Sequence, residues 1–203
     1  LYKAAGPARI MSVDLPASQI QGFFDAPVDP LGGLPPLAEY VKEKYDTSEM
    51  TIISPDAGRV RLADMWTDKL GCPLAIIHKR RDPNRANTVA VHEVVGEVDG
   101  RVCLLVDDMI DTAGTIAQAA HALREHGAKA VICAATHPVF SGPAAQRLNQ
   151  SGIEEIIVTN TLPIRTSEPI ENLTTLSIAP LIAKAINAVF LDGSVTSLFD
   201  GQA

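Results

Sequence analysis

The stretch at 101–128, RVCLLVDDMIDTAGTIAQAAHALREHGA, constrains the fold more than any other part of the chain. Residues 102–106 form an unbroken apolar run, the pattern of a strand covered on both faces. Asp107 and Asp108 follow at once, and then comes a short series of small and hydroxyl residues, Asp111, Thr112, Ala113, Gly114 and Thr115. Ile116, Ala119, Ala120 and Leu123 recur at helical spacing up to Gly127, a C-terminal stop. Strand, loop and helix in that order make the repeating unit of an α/β protein.

The loop has the chemistry of an anion site. Its backbone N–H groups open the following helix, at the positive end of the macrodipole. Ala113 and Gly114 leave room for a phosphate against the backbone, and Thr112 and Thr115 add hydroxyl donors. Asp107 and Asp108 would repel a phosphate, so they suit a polyhydroxylated group or a divalent cation. A sugar phosphate satisfies both halves. The plainer alternative is a capped helix after a solvated turn, because acidic residues often follow buried strands.

The rest of the chain repeats the same alternation. Strands are expected at 9–13, 50–54, 74–77, 89–98, 102–106, 130–135, 153–159 and 173–178. Helices are expected at 37–45, 60–70, 116–126, 143–149 and 179–190. From Met50 onward this predicts a mostly parallel sheet with helices on both faces and a site at the carboxyl ends of the strands. Asp56, Lys79, the segment from Asp107 to Thr115, and His137 all follow strands, so they should share one sheet edge. Asp99-Gly100 reads as a hairpin-like return into the 102–106 strand. Asp46 to Glu49 is a polar link, placed as the domain boundary. Residues 78–87 are charged and lack apolar periodicity, which predicts an exposed, mobile loop. In general such a basic loop is merely solvated. Asp56 could equally cap the helix that follows it.

Composition narrows the classes. With 203 residues and 46% hydrophobic content the chain can bury a sizeable core. A net charge of −7 argues against a general nucleic-acid surface. Cys72, Cys103 and Cys133 are far apart and odd in number, which fits buried free thiols in a reducing cytoplasm. No window reaches the apolar length of a membrane span. His121 and His126 share a predicted helix with no carboxylate or cysteine at ligand spacing, so they are given no metal role, and His92 reads as solvated.

VDDMIDTAGT resembles the phosphoribosyl diphosphate (PRPP) motif of type I phosphoribosyltransferases and of ribose-phosphate pyrophosphokinase, or PRPP synthetase. VDLPASQIQGFFDAPVD, SPDAG, HKRRD, ATHPVFSGPA, VTNTLP and SVTSLF resemble the synthetase in its own order. The resemblance covers nearly the whole chain but only the later part of the family. It implies a type I phosphoribosyltransferase-like sheet, plus part of a second similar domain. The expected divisions are 1–48 as the remnant of an N-terminal domain, 49–192 as the C-terminal domain with the PRPP loop, and 193–203 as a tail returning to the first.

The resemblance also implies chemistry. The family transfers the diphosphoryl group of ATP to ribose 5-phosphate, with AMP released, and works with Mg²⁺ as a cytoplasmic homo-oligomer. Carried over residue by residue, Lys79 and Arg81 are the catalytic cations of a closing loop. Arg81, Asp107, Asp108 and the run from Asp111 to Thr115 bind ribose 5-phosphate, and Asp56 binds the metal. One position departs. Where the family carries a metal-binding histidine after its Asp-Leu pair, this chain has Pro16, which offers no donor or acceptor. The start at Leu1, without the family's adenine-binding stretch, also counts against turnover. A catalytically silent regulatory or assembly subunit is therefore the alternative. A phosphoribosyltransferase would need a base-recognition hood, and no segment reads as one.

Overall fold

The computed structural model describes residues 1–80 and 91–195. Two compact units divide the chain, residues 1–36 with 177–195 in one and 37–176 in the other.

The larger unit is built on seven strands: β3 (Met50–Ser54), β4 (Leu74–Arg80), β5 (Val91–Val95), β6 (Val102–Ile110), β7 (Ala130–Pro138), β8 (Glu155–Thr159) and β9 (Leu173–Leu176). Their order across the sheet is β5-β4-β3-β6-β7-β8-β9, and every pairing is parallel except β4 with β5. Alternating side chains serve two cores, as the pleat requires. On one face the register aligns Ala75, Ile53, Leu105, Cys133 and Ile156 in a single row across five strands. Helix α3 (Gly114–Glu125) and helix α4 (Ala144–Gln150) cover that row with Ile116, Ala120, Leu123 and Leu148. Ile52, Leu104, Ile132 and Ile157 alternate to the other face and are also fully buried. Helix α2 (Val60–Leu70) packs on β3, β4 and β6 and buries Ala63, Trp66 and Leu70. This is the doubly covered, mostly parallel sheet that the apolar runs predict.

Four expectations need correction. The strands at 74–77, 102–106 and 130–135 each run three or four residues further. Parallel and antiparallel neighbours continue to supply hydrogen-bond partners there, so the ladder outlasts the apolar run. Lys79 and the residues beside it therefore belong to β4 rather than to a loop, and residues 81–90 lie outside the described residues. The return at Asp99-Gly100 is not a hairpin, because β5 pairs with β4 at the sheet edge while β6 inserts between β3 and β7. Helix α1 (Leu34–Lys44) starts before Pro35-Pro36, since the first turn needs no N–H donors.

The smaller unit holds β1 (Ile10–Val13), β2 (Val28–Leu31) and α5 (Ala179–Phe190). The two strands are parallel, with Ser12 opposite Pro30. Leu31, Ala185 and Val195 form its buried core, flanked by Met11, Val13, Leu181 and Ile182. The units thus divide at 36/37 and 176/177 rather than at 48/49 and 192/193. Helix α5 continues the alternation in sequence, but its apolar face packs on β1 and β2.

Cys72, Cys103 and Cys133 are buried and free. Among the described residues no helix is long and apolar enough to cross a membrane.

Candidate functional site

The carboxyl ends of four adjacent parallel strands, β4, β3, β6 and β7, place the sequence-predicted residues along one edge. Asp56 follows β3. Its Oδ1 accepts the Gly58 N–H at 2.8 Å, which caps the 3₁₀ turn leading into α2, as the plainer reading expects. Asp107 and Asp108 lie within β6 toward its end, and their side chains are 13% exposed. Lys79 is the penultimate residue of β4. Arg81 falls outside the described residues.

Arg59 draws the acidic residues together. Its Nε donates to Asp107 Oδ1 at 2.7 Å. Its Nη2 lies 2.9 Å from Asp108 Oδ1, close enough for an ion pair but off the geometry of a hydrogen bond, so that buried oxygen has no hydrogen-bond partner. Burial opposes the charged guanidinium, but Asp107, Asp108 and Asp56 outweigh it and raise its pKa. For Asp107 the balance goes the other way. Burial, together with the neighbouring Asp108 carboxyl, pushes its carboxyl up to about 6, although Arg59 pulls it down. The pair is held short of full neutralisation. A second cation or a set of hydroxyl donors would complete it.

Sequence reasoning missed Arg59, and a signal was present. A basic residue at a helix entrance opposes the macrodipole, so something else must hold it there. Here the carboxylates of a different strand do so.

The loop between β6 and α3 has the form expected of an anion site. Ala113 caps α3 in the left-handed region, at φ 59°, and makes no side-chain cap bond. The leading N–H groups of α3 therefore lack a side-chain acceptor, in the place where a bound anion would sit. Thr112 and Thr115 are exposed, with their hydroxyls available, while Ala113 is buried and Gly114 half-buried. Asp111 behaves differently from its neighbours. Its carboxylate accepts from Ser141 Oγ across the gap to the chain after β7, so it braces the loop. His137, a candidate for substrate contact, meets Thr161 Oγ1 at 2.9 Å through Nδ1.

Do these residues fit a divalent cation? Among the described residues no three His, Cys, Asp or Glu side chains form a metal cage. Magnesium, however, is usually held by one or two carboxylates together with substrate phosphates and waters. Asp56 and the Asp108 carboxylate, whose Oδ1 has an ion pair but no hydrogen bond, fit that mode.

Comparison with known proteins assigns the chain a family. Residues 84–200 match the model of the phosphoribosyl synthetase-associated domain. The chain belongs to the PRPP synthetase family. It is 62% identical over 202 residues to a ribose-phosphate pyrophosphokinase of Streptomyces coelicolor, covering 100% of this chain and 62% of that protein. A ribose-phosphate pyrophosphokinase of Mycobacterium leprae is 56% identical over 204 residues, with 100% and 62% covered. The crystal structure of phosphoribosylpyrophosphate synthetase from Mycobacterium smegmatis matches with a TM-score of 0.85 at 54% identity, over 94% of this chain and 61% of that one. The chain thus spans about three fifths of the length of the curated relatives it matches.

Proposed function

We propose that this chain is the later, sugar-phosphate-binding part of a ribose-phosphate diphosphokinase, which transfers the diphosphoryl group of ATP to ribose 5-phosphate to give PRPP and AMP. The observation that carries the reading is the pairing on one strand end of an uncapped helix entrance with an incompletely satisfied carboxylate pair. A phosphate and a polyol together fit that combination, and few other ligands do.

In this reading the N–H groups and hydroxyls from Thr112 to Thr115 take the 5-phosphate, with Asp111 fixing the loop's shape. Asp107 and Asp108 accept ribose hydroxyls, either directly or around a cation. Asp56 and Asp108 would hold Mg²⁺, which when bound neutralises charge on the transferring phosphates. Lys79 and Arg81 bring cations to the same group. Phosphoryl transfer needs this positioning and charge neutralisation more than covalent catalysis. The first unit is then the remnant of a second phosphoribosyltransferase-like domain, and the working form is a cytoplasmic homo-oligomer with ATP as co-substrate.

Pro16 favours a second reading. It is exposed where the family's metal-binding histidine is expected, and it has no ligand atom to offer. A subunit that binds sugar phosphate without turning it over would keep the loop and lose this residue. Incubation with ribose 5-phosphate and Mg-ATP separates the two. AMP release supports the synthetase, whereas ribose 5-phosphate binding without AMP supports the silent subunit. If the protein is active, Lys79→Ala lowers kcat by about 100-fold to 1,000-fold, the usual result of losing one charge-stabilising contact, while ribose 5-phosphate still binds. Near-normal turnover in that variant removes Lys79 from the machinery.

A further inference from the structure

Three successive carbonyls of the β6–α3 loop are held by one neighbouring segment, the chain that runs from the end of β7 into α4. Phe140 N–H donates to Ile110 O at 2.9 Å, and Ser141 N–H donates to Asp111 O at 3.1 Å. Arg147 Nη1 donates to Thr112 O at 2.9 Å. Ser141 Oγ adds its bond to the Asp111 carboxylate. Phe140, 2% exposed, turns the chain here at φ 46°, a left-handed value seldom adopted by a residue with a side chain.

The consequence follows from the planarity of the peptide. In a trans unit the C=O of one residue and the N–H of the next point in opposite directions. Fixing the carbonyls of Ile110, Asp111 and Thr112 toward the 140–147 segment turns the N–H groups of Asp111, Thr112 and Ala113 away from it. Arg147 does more than accompany the loop. A Cβ on Gly114 would lie 3.3 Å from Arg147 Nη1, so the guanidinium rests against the first residue of α3. Its positive charge adds to the field at that helix entrance.

We propose that Arg147, with Ser141, is a positioning residue for the anion loop, gripping its carbonyls from behind so that its amides stay turned toward the sugar phosphate. This deepens the proposed function and rests on it. Arg147 and Ser141 are both exposed, so truncating either should leave the core intact.

The test uses Arg147→Ala, Arg147→Lys and Ser141→Ala in the full chain. Two quantities are measured, the hydrogen exchange of the Phe140 and Ser141 amides and the calorimetric affinity for ribose 5-phosphate. In Arg147→Ala both amides exchange about tenfold faster and ribose 5-phosphate binds about tenfold more weakly, the loss of one net hydrogen bond. Exchange in β3 and β7 and the thermal midpoint stay close to the parent protein. Arg147→Lys recovers only part of the affinity, since a single ammonium does not reproduce the planar fork. Should Arg147→Ala fail to fold, Ser141→Ala carries the same comparison. Unchanged exchange at Phe140 and Ser141 overturns the proposal, and so does faster exchange with unaltered affinity. If the parent protein itself binds no ribose 5-phosphate, the functional reading falls, while the exchange data still decide whether Arg147 holds the loop.

Discussion

Two buried acidic centres stand at opposite ends of the sheet strands, and they are built to different standards of satisfaction. Glu155 opens β8 and is 6% exposed. Tyr40 and Lys44 from α1 donate to its Oε1 at 2.7 and 2.8 Å, Thr174 donates at 2.6 Å, and Tyr45 donates to Oε2. Burial alone would raise this carboxyl, but four donors outweigh burial and hold it at about 2. At the other end Asp107 and Asp108 share one guanidinium, one oxygen has no hydrogen bond, and Asp107 is raised to about 6. A fully satisfied carboxylate stabilises the fold and is closed to ligands. A half-satisfied one weakens the fold and stays open to them. Burial is therefore common to both centres, and the count of donors is what separates the anchor from the candidate site.

The sharpest way to break this contrast is to remove Glu155. Its folded pKa lies below the unfolded value of 4.5, so its contribution is present above pH 4.5 and lost as pH falls toward 2. Glu155→Ala should lower unfolding free energy by about 3 kcal/mol near pH 7, measured by urea titration. That gap should close as both proteins are titrated from pH 5 to pH 2, and ribose 5-phosphate affinity should not change. A gap independent of pH would mean that Glu155 acts through packing alone.

Asp108→Asn should do the opposite at the other centre. Calorimetry is expected to show ribose 5-phosphate binding weakened by about 2 kcal/mol, the value of hydrogen bonds to a charged group. Unfolding free energy should stay level or rise, because a buried charge without a full complement of donors has been removed. A drop in stability as large as that of Glu155→Ala would erase the distinction between the two centres. Ala113→Gly is the finest probe. It relieves a left-handed alanine, worth about 1 kcal/mol, but adds backbone freedom to the unfolded chain of nearly the same size. The expected net change in thermal midpoint is within a degree or two, with the loop's ligand affinity retained. A large loss would show that the alanine methyl, 5% exposed, is needed for packing.

Much of the architecture was legible because its signals are local. Apolar runs marked the strands, periodicity marked α3 and α5, and the DDMIDTAGT segment announced a loop at a helix entrance. The strand ends were underestimated, because a ladder extends wherever a neighbour offers partners, and apolar content does not report that. The β5–β6 return was misplaced for a related reason. Nothing in Asp99-Gly100 says that a third and a fourth strand will flank β6. Within the candidate site, Asp56, Asp107, Asp108 and the loop could be named from sequence, since each lies at or just beyond the end of an apolar run. Arg59 and Arg147 could not be assigned a role that way. Their significance lies in what they reach, 48 and 35 residues away along the chain.

The chain by itself thus determined the alternation of elements, the sheet edge on which chemistry gathers, and the residue types at that edge. Periodicity and strand–loop–helix order are properties of neighbouring residues, and neighbours are what a sequence records. Tertiary structure alone decided which carboxylates are sated and which are left wanting. It also decided that an exposed arginine on α4 braces a loop presented by β6, because hydrogen bonds are completed through space by partners that sequence distance does not rank.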